Sequence, residues 1–336
     1  MSTGPDLLHV TSGDAAAQRI ALAVPGGEVL PWRDVLHEGP VPAGLPPEGL
    51  NRVRARFLAE QGWAEEDGTR RGLDDRDRRL AEGAARGEVV LWFEHDLYDQ
   101  LQLLQVLDLL AETVAEGRVS LVCIGSFPGV EPFHGLGQLT PGQLAGLLPG
   151  RAPVTAGQRE LARAAWAAFR APDPEGIESV LAGDTGALPF LRGALVRHLE
   201  QFPAVGDGLA RTERQLLEAV AAGAATRREL FLADQAREER VFMGDTALWG
   251  WVRALTVGPE PLLRVPGQGP SRTDEDDGFG EQRLELTDAG REVLRGGGDR
   301  VALGGVDRWL GGVHLRGRSV PWRWNRSSGR LAREAE

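Results

Sequence analysis

Residues 89–100 read Val-Val-Leu-Trp-Phe-Glu-His-Asp-Leu-Tyr-Asp-Gln, an apolar run that stops abruptly and gives way to a leucine-rich helical pattern. A strand buried on both faces of a parallel sheet is continuously apolar, so its polar residues collect at its end. In open α/β sheets, ligands bind outside the carboxyl ends of such strands. The stretch therefore constrains both the fold class and the place where the chain works.

The rest of the N-terminal region has the same alternation. Residues 7–10 read as a first strand, 11–14 as a turn and 15–24 as a helix stopped by Pro25-Gly-Gly27. Residues 28–30 read as a second strand, followed by the loop 31–40 and a proline-punctuated loop at 42–47. Residues 51–61 and 74–85 look like charged, solvent-facing helices. Residues 89–93 form the third strand, 97–111 its helix and 118–125 the fourth strand. Strands alternating with helices predict right-handed crossovers and a parallel sheet. The expected fold class is α/β: a Rossmann-like open parallel sheet domain over 1–150, then a helical segment over 151–206 and a winged-helix-like domain over 207–296.

The helical segment carries no strand signal and helices at 158–170 and 188–202, and a helix starts at Thr140 with Pro141 at its first position. The winged-helix reading rests on element order. Helices at 212–222, 226–233 and 245–255 precede two strands at 262–265 and 282–286, whose Gly- and Asp-rich tip spans 266–280, and a helix capped by Thr287. The last residues, 297–336, are dense in tryptophan and arginine and read as a docking tail, with Arg308 and His314 as groups that could reach the site.

A net charge of −11 over 336 residues argues against a general nucleic-acid or membrane-surface binder, because phosphate-rich partners attract positive fields. No apolar run reaches the roughly 18 residues needed to span a bilayer. The N-terminus shows no basic region followed by an apolar core, so a cytoplasmic location is expected. The single cysteine, Cys123, excludes an intramolecular disulfide and reads as a small core residue.

Three segments carry chemistry-bearing side chains. The first holds Glu94, Asp96 and Asp99. Residues two apart on a strand face the same side, about 6–7 Å apart, so Glu94 and Asp96 could share a hard cation such as magnesium. Clustered carboxylates also raise one another's pKa, which suits acid–base work. Helix capping competes for two of the three: Asp96 fits an N-cap and Asp99 an acidic capping box. His95 lies between them, and Gln100 follows as a ligand contact. The second segment is Thr11-Ser12-Gly13-Asp14, a polar turn between strand and helix that could present N–H groups to an anion; alternatively, Asp14 simply caps the helix. The third is Trp32-Arg33-Asp34-Val35-Leu36-His37. There Arg33 could grip a carboxylate or phosphate, and Asp34 with His37 could form an acid–base pair if the segment is a helical turn. In a parallel sheet all three segments converge on one edge. There is no serine elbow of the Gly-x-Ser-x-Gly kind, and the scattered histidines argue against zinc.

The helix at 245–255 would be the DNA-reading one, yet it begins with Asp245 and has one cation, Arg253, while the strand tip carries Asp274-Glu-Asp-Asp277. Non-specific affinity for DNA comes mainly from phosphate contacts, so a structural or protein-contacting role is favoured.

Taken together, His9, Gly13-Asp14, Trp32 to Pro40, Leu91 to Gln100 and the closing Asp307-Arg-Trp-Leu-Gly-Gly-Val-His314 resemble a bacterial family catalogued as domain of unknown function 1835. The resemblance extends over essentially the whole chain. Ala15 stands where that pattern has serine. The resemblance implies that these motifs act as one unit, and it implies no activity.

Two function classes stay open on the sequence. One is a metal-assisted enzyme acting on a small phosphorylated or nucleotide-like ligand. Glu94, Asp96 and Asp99 would hold metal or water, Asp34 or His37 would be the base, and Thr11 to Gly13 with Arg33 would hold the anion. The other is a non-catalytic ligand-sensing adaptor whose winged helix contacts a protein or, less favoured, DNA.

Overall fold

The computed structural model describes residues 7–111, 117–266 and 283–334. The expected tip with Asp274 to Asp277 lies outside them. The chain divides into two compact units, 1–195 with 311–313, and 196–310 with 314–336.

The first unit is mixed α/β. It opens with β1 (Leu7–Ser12), α1 (Gly13–Ala23), β2 (Glu28–Trp32) and the short β3 (Gly39–Pro40). Helices α2 (Pro47–Glu60) and α3 (Glu66–Arg86) lead to β4 (Glu88–Glu94), α4 (Leu97–Leu110) and β5 (Val119–Ile124). Then come α5 (Pro141–Leu147), β6 (Ala152–Pro153), α6 (Ala156–Arg170) and α7 (Glu175–Ala182), while α8 (Leu191–Leu199) runs across the division between the units. The sheet has five strands in the order β2-β1-β4-β5-β6. The pairings β1–β2, β1–β4 and β4–β5 are parallel.

Strand alternation sends the side chains of β4 to two faces. Val90 and Trp92 pack with Ala16 and Ile20 of α1 and Leu144 of α5. On the other face Leu8 meets the backbone of α3 at Gly83, where no side chain would fit. Helix α4 is buried almost all round, which explains its unbroken leucines. Two of its glutamines bond to β2 and the loop after it. Gln105 accepts from the Trp32 indole at 2.8 Å, and Gln102 donates to the Asp34 carbonyl at 2.8 Å.

The order matters for function. From β1 the chain goes to β2 on one side, then crosses back to β4 on the other. The topological switch point therefore lies between the carboxyl ends of β1 and β4, where crevices form in open α/β sheets.

Three expectations need correction. Residues 151–206 do contain a strand: β6 pairs antiparallel with β5, matching Ser120 to Pro153 and Leu121 to Ala152. Its edge position tolerates a proline that cannot donate. Nor are α2 and α3 simply solvent-facing. Arg54 of α2 is fully buried and donates through Nε and Nη2 to the Asp34 carboxylate, with Nη2–Oδ1 at 2.8 Å. Arg76 of α3 is buried with its guanidinium 3.8 Å from the centre of a Trp32 ring. A reading by charge alone places such arginines outside, whereas their stems and planar heads bury well when every N–H finds a partner. Finally, Thr11 and Ser12 belong to β1, and Gly13 begins α1.

The second unit contains α9 (Arg211–Ala221), α10 (Arg227–Gln235) and α11 (Asp245–Thr256), then β7 (Leu263–Arg264), β8 (Glu285–Leu286) and α12 (Asp288–Leu294). β7 and β8 pair antiparallel, and Thr287 caps α12 by accepting from Gly290 N–H. The remaining residues form α13 (Arg300–Gly304), β9 (Val306–Gly311), β10 (Val313–Gly317), β11 (Trp322–Asn325) and β12 (Arg330–Arg333). The C-terminal arginines and aromatics are engaged within this unit. Arg308 stacks 3.5 Å from the centre of a Trp251 ring and pairs with Glu213 at 3.4 Å. His314 stacks on Trp309 at 4.2 Å and bonds Asp307. Both side chains are engaged by residues of this unit. Among the described residues no helix is long and apolar enough to cross a membrane.

The Arg54–Asp34 pair yields a test. Both side chains are buried, so removing the cation strands a carboxylate in a dry interior, at a cost of about 3–5 kcal/mol. Arg54→Met should lower the unfolding free energy by about that amount in urea denaturation, and Arg54→Met with Asp34→Asn should recover part of it. A loss below about 1 kcal/mol for the single variant would show that the pair is not structural.

Candidate functional site

The carboxyl ends of β1, β2 and β4 lie on one edge of the sheet, and side chains from the segments that follow them link there. Ser12 ends β1 and is the N-cap of α1, yet its side chain does not cap that helix. Its hydroxyl instead donates to Asp99 Oδ1 at 2.9 Å. The same Asp99 oxygen accepts from the Glu94 N–H at 2.9 Å. Asp99 thus ties the end of β1 to the end of β4 through the first turn of α4.

Asp96 is the N-cap of α4 and accepts from Asp99 N–H at 3.0 Å, as capping predicts. Asp99 is not a capping-box partner, because its side chain reaches past the cap to Glu94 and Ser12. The route by which Glu94 and Asp96 come together also differs from expectation. β4 ends at Glu94, so strand alternation does not align them; the turn into α4 does.

Glu94 is the residue that capping leaves unexplained, and the structure gives it a partner. Its Oε1 accepts from the Leu136 N–H. Gly135 lies against the carboxylate at φ +147°, and a Cβ there would stand 2.7 Å from Glu94 Cδ. The loop after β5 therefore closes over Glu94, and only glycine fits the approach. Sequence reading missed this loop. Its signal is Gly135-Leu136-Gly137, which follows the fourth strand just as the other three segments follow theirs.

Glu94, Asp96 and Asp99 are all buried, and each offers an oxygen within 4.8 Å of those of the other two. No arginine forms an ion pair with Glu94 or Asp99 among the described residues. Burial, then the charge of Asp96, pushes the Glu94 carboxyl up to about 8, against the opposing pull of the Leu136 N–H. Asp99 is raised well above the ordinary carboxylate range by burial, then by Glu94 and Asp96. At neutral pH the cluster therefore holds protons rather than a full set of negative charges.

The donor set consists of oxygens. That fits a hard divalent cation, which would replace the shared protons. A soft metal fits poorly, since burial pushes the neighbouring Cys123 thiol up to about 12 and keeps it protonated.

The other expected site residues are placed as follows. Gln100 is buried and donates to the Glu94 carbonyl at 2.6 Å, so it braces the site rather than contacting a ligand. Thr11 is fully buried within β1 and offers no surface. Gly13 takes φ +64° with open space where a side chain would stand. Asp14 does not cap α1. It lies in the first turn and forms a two-pronged pair with Arg33, closest at 2.6 Å, which holds its carboxyl below the usual range. Arg33 is thereby engaged by a carboxylate of the chain itself, on the solvent side of the same edge.

Asp34 cannot serve as the base, because Arg54 occupies both its oxygens. Residues 33–38 are not a helical turn either; irregular backbone leads into a tight turn over 35–38 closed by Glu38 N–H to the Val35 carbonyl. His37 is buried, edge-on to Tyr98 at 5.8 Å. His95 is buried between the rings of Phe133 and Phe190, at 5.9 and 6.0 Å. These two aromatic neighbours were not legible in the sequence, since they come from separate loops.

No known protein-family model matches the chain, and no curated protein matches it.

The raised carboxyls make stability depend on pH. The folded Glu94 carboxyl titrates near 8 and an unfolded one near 4.5, so the fold binds the extra proton between those values. Stability from this group is complete below about pH 4.5 and is lost as pH rises toward 8, by on the order of 4 kcal/mol. Denaturant midpoints measured in chelator should fall between pH 5 and 8, and Glu94→Gln should flatten that fall. A wild-type midpoint that rises across this window would contradict the assignment.

Proposed function

We propose that the first unit is a Rossmann-like catalytic domain that holds a divalent cation on Glu94, Asp96 and Asp99 and acts on a small phosphorylated or nucleotide-like ligand. The observation that carries this reading is the placement of three buried carboxylates at the topological switch point of the sheet, two of them without an ion-pair partner among the described residues. Burying carboxylates together destabilises a fold, and a structural role is filled more cheaply by neutral side chains. A bound divalent ion removes that cost, and its chemistry in such a site is to polarise a phosphoryl oxygen or to lower the pKa of a bound water.

The chain's own residues have distinct parts in this reading. Glu94 and Asp96 are the principal ligands, and Asp99 completes the oxygen set while holding Ser12. Leu136 N–H and Gln100 fix Glu94 in place. The open N-terminal turn of α1 at Gly13 faces the same edge and suits the anionic part of a ligand. The resemblance to the family catalogued as domain of unknown function 1835 supports this reading, since it groups the same motifs together.

A second reading concerns the other unit. Its order of three helices, two paired strands and a further helix is that of a winged helix. The Leu284 N–H, next to β8, also bonds the Ala225 carbonyl between α9 and α10, where a winged helix has its first short strand. Trp251 of the third helix is buried under Arg308, which leaves Arg253 as the exposed cation of that helix. This supports protein contact over DNA contact.

Thermal shift tests the first reading. Magnesium or manganese at a hundredfold excess over Kd should raise the melting temperature by about 5 °C, and nucleotides or sugar phosphates should add to it. Glu94→Gln with Asp96→Asn should abolish the shift by the ion. An unchanged shift in that variant would remove these residues from the site.

A further inference from the structure

The second unit contains a groove of about 750 Å³ formed by the end of α9, β8 and α12. Its floor is apolar, with Leu284 and Leu286 buried and Leu294 half-buried. Three exposed arginines line it, Arg283, Arg291 and Arg295, beside one half-buried carboxylate, Glu285, which is paired with Arg264 at 2.6 Å. Arg291 is held by Asp288 at 2.9 Å. Arg283 has no ion-pair partner among the described residues, and Arg295 donates only to the Arg291 carbonyl at 3.0 Å. Such a concentration of cations stands out on a chain of net charge −11.

We propose that this groove binds an acidic, leucine-bearing peptide segment of a partner protein. Leucine side chains would cover the apolar floor, and flanking carboxylates would meet Arg283 and Arg295. A peptide fits better than a nucleic acid. Phosphate backbones need cations but have no use for a leucine-lined floor, while a short amphipathic peptide uses both. The volume suits a few side chains rather than a large domain. The inference rests on the protein-contact reading of the second unit and is independent of the cation site in the first.

The experiment uses the full chain and fluorescence anisotropy at low salt. The probes are a labelled peptide alternating leucine with aspartate or glutamate, its leucine–lysine counterpart, a leucine-free polyglutamate and a DNA duplex. The acidic leucine peptide should bind; the lysine peptide should not, and polyglutamate should bind more weakly. Arg283→Glu with Arg295→Glu should weaken binding by about tenfold or more, as reversed charges repel the probe. Both residues are exposed, and an unchanged melting temperature shows that the variant is folded. Several results would overturn the proposal: no binding of the acidic leucine peptide, or binding that the charge reversal leaves unchanged. Tighter binding of the duplex than of the peptide would assign the arginines to nucleic acid and would also sink the protein-contact reading. Absence of both peptide and duplex binding would sink the groove proposal alone. A chain with Asp274, Glu275, Asp276 and Asp277 replaced by amides serves as a competitor control. Binding seen only with that variant would assign the arginines to the chain's own acidic run and overturn a separate partner.

Discussion

The Asp99 carboxylate is the joint on which the candidate site depends. One of its oxygens accepts from the Ser12 hydroxyl and from the Glu94 N–H, so a single side chain joins the ends of two parallel strands to the helix that follows. Parallel strands are connected by long crossovers, and no local turn sets the relative position of their ends. A buried side chain that bonds to both ends supplies that constraint. The same residue carries the electrostatic cost, because it brings a third carboxylate into the dry surroundings of Glu94 and Asp96.

That cost shapes the rest of the cluster. Ser12 gives its hydroxyl to Asp99 instead of capping α1, although serine is among the best N-caps. Leu136 N–H points at Glu94, and Gly135 is glycine because the carboxylate lies against its backbone. Gln100 anchors the Glu94 carbonyl. Ser12 gives up its cap to hold an acidic oxygen, while Leu136 N–H and Gln100 hold Glu94 in place. Contrast Asp34, whose burial is offset by Arg54. The two situations separate a structural carboxylate from a functional candidate more sharply than burial does, since both are buried.

Much of this was readable beforehand. The four parallel strands, the helices directly after the first and third, and the convergence of three loops on one edge were legible, because a buried parallel strand writes its character in consecutive residues; the four C-terminal strands β9–β12 were not, as their tryptophans and arginines read as a docking tail. Asp96 as a cap was legible for the same local reason. What escaped was long-range. Nothing near Asp34 in sequence points to Arg54, which lies on the stripe of α2 that also carries Leu50 and Leu58. The partner of Glu94 comes from a loop 42 residues away. Strand β6 is two residues long and contains a proline, too short for any periodic signal. Their local sequence points Arg33 toward a ligand and Asp14 toward a ligand or the helix backbone, yet the two side chains bind each other.

In the proposed site, Glu94, Asp96 and Asp99 exchange shared protons for a cation. Proton release on metal binding measures this most directly. Titration of magnesium or manganese at pH 7 in two buffers of different ionisation enthalpy separates the heat of binding from the heat of proton transfer. The account predicts roughly one proton released per ion bound, and a smaller release for Glu94→Gln. Binding with no proton release, or no binding at all, would contradict it.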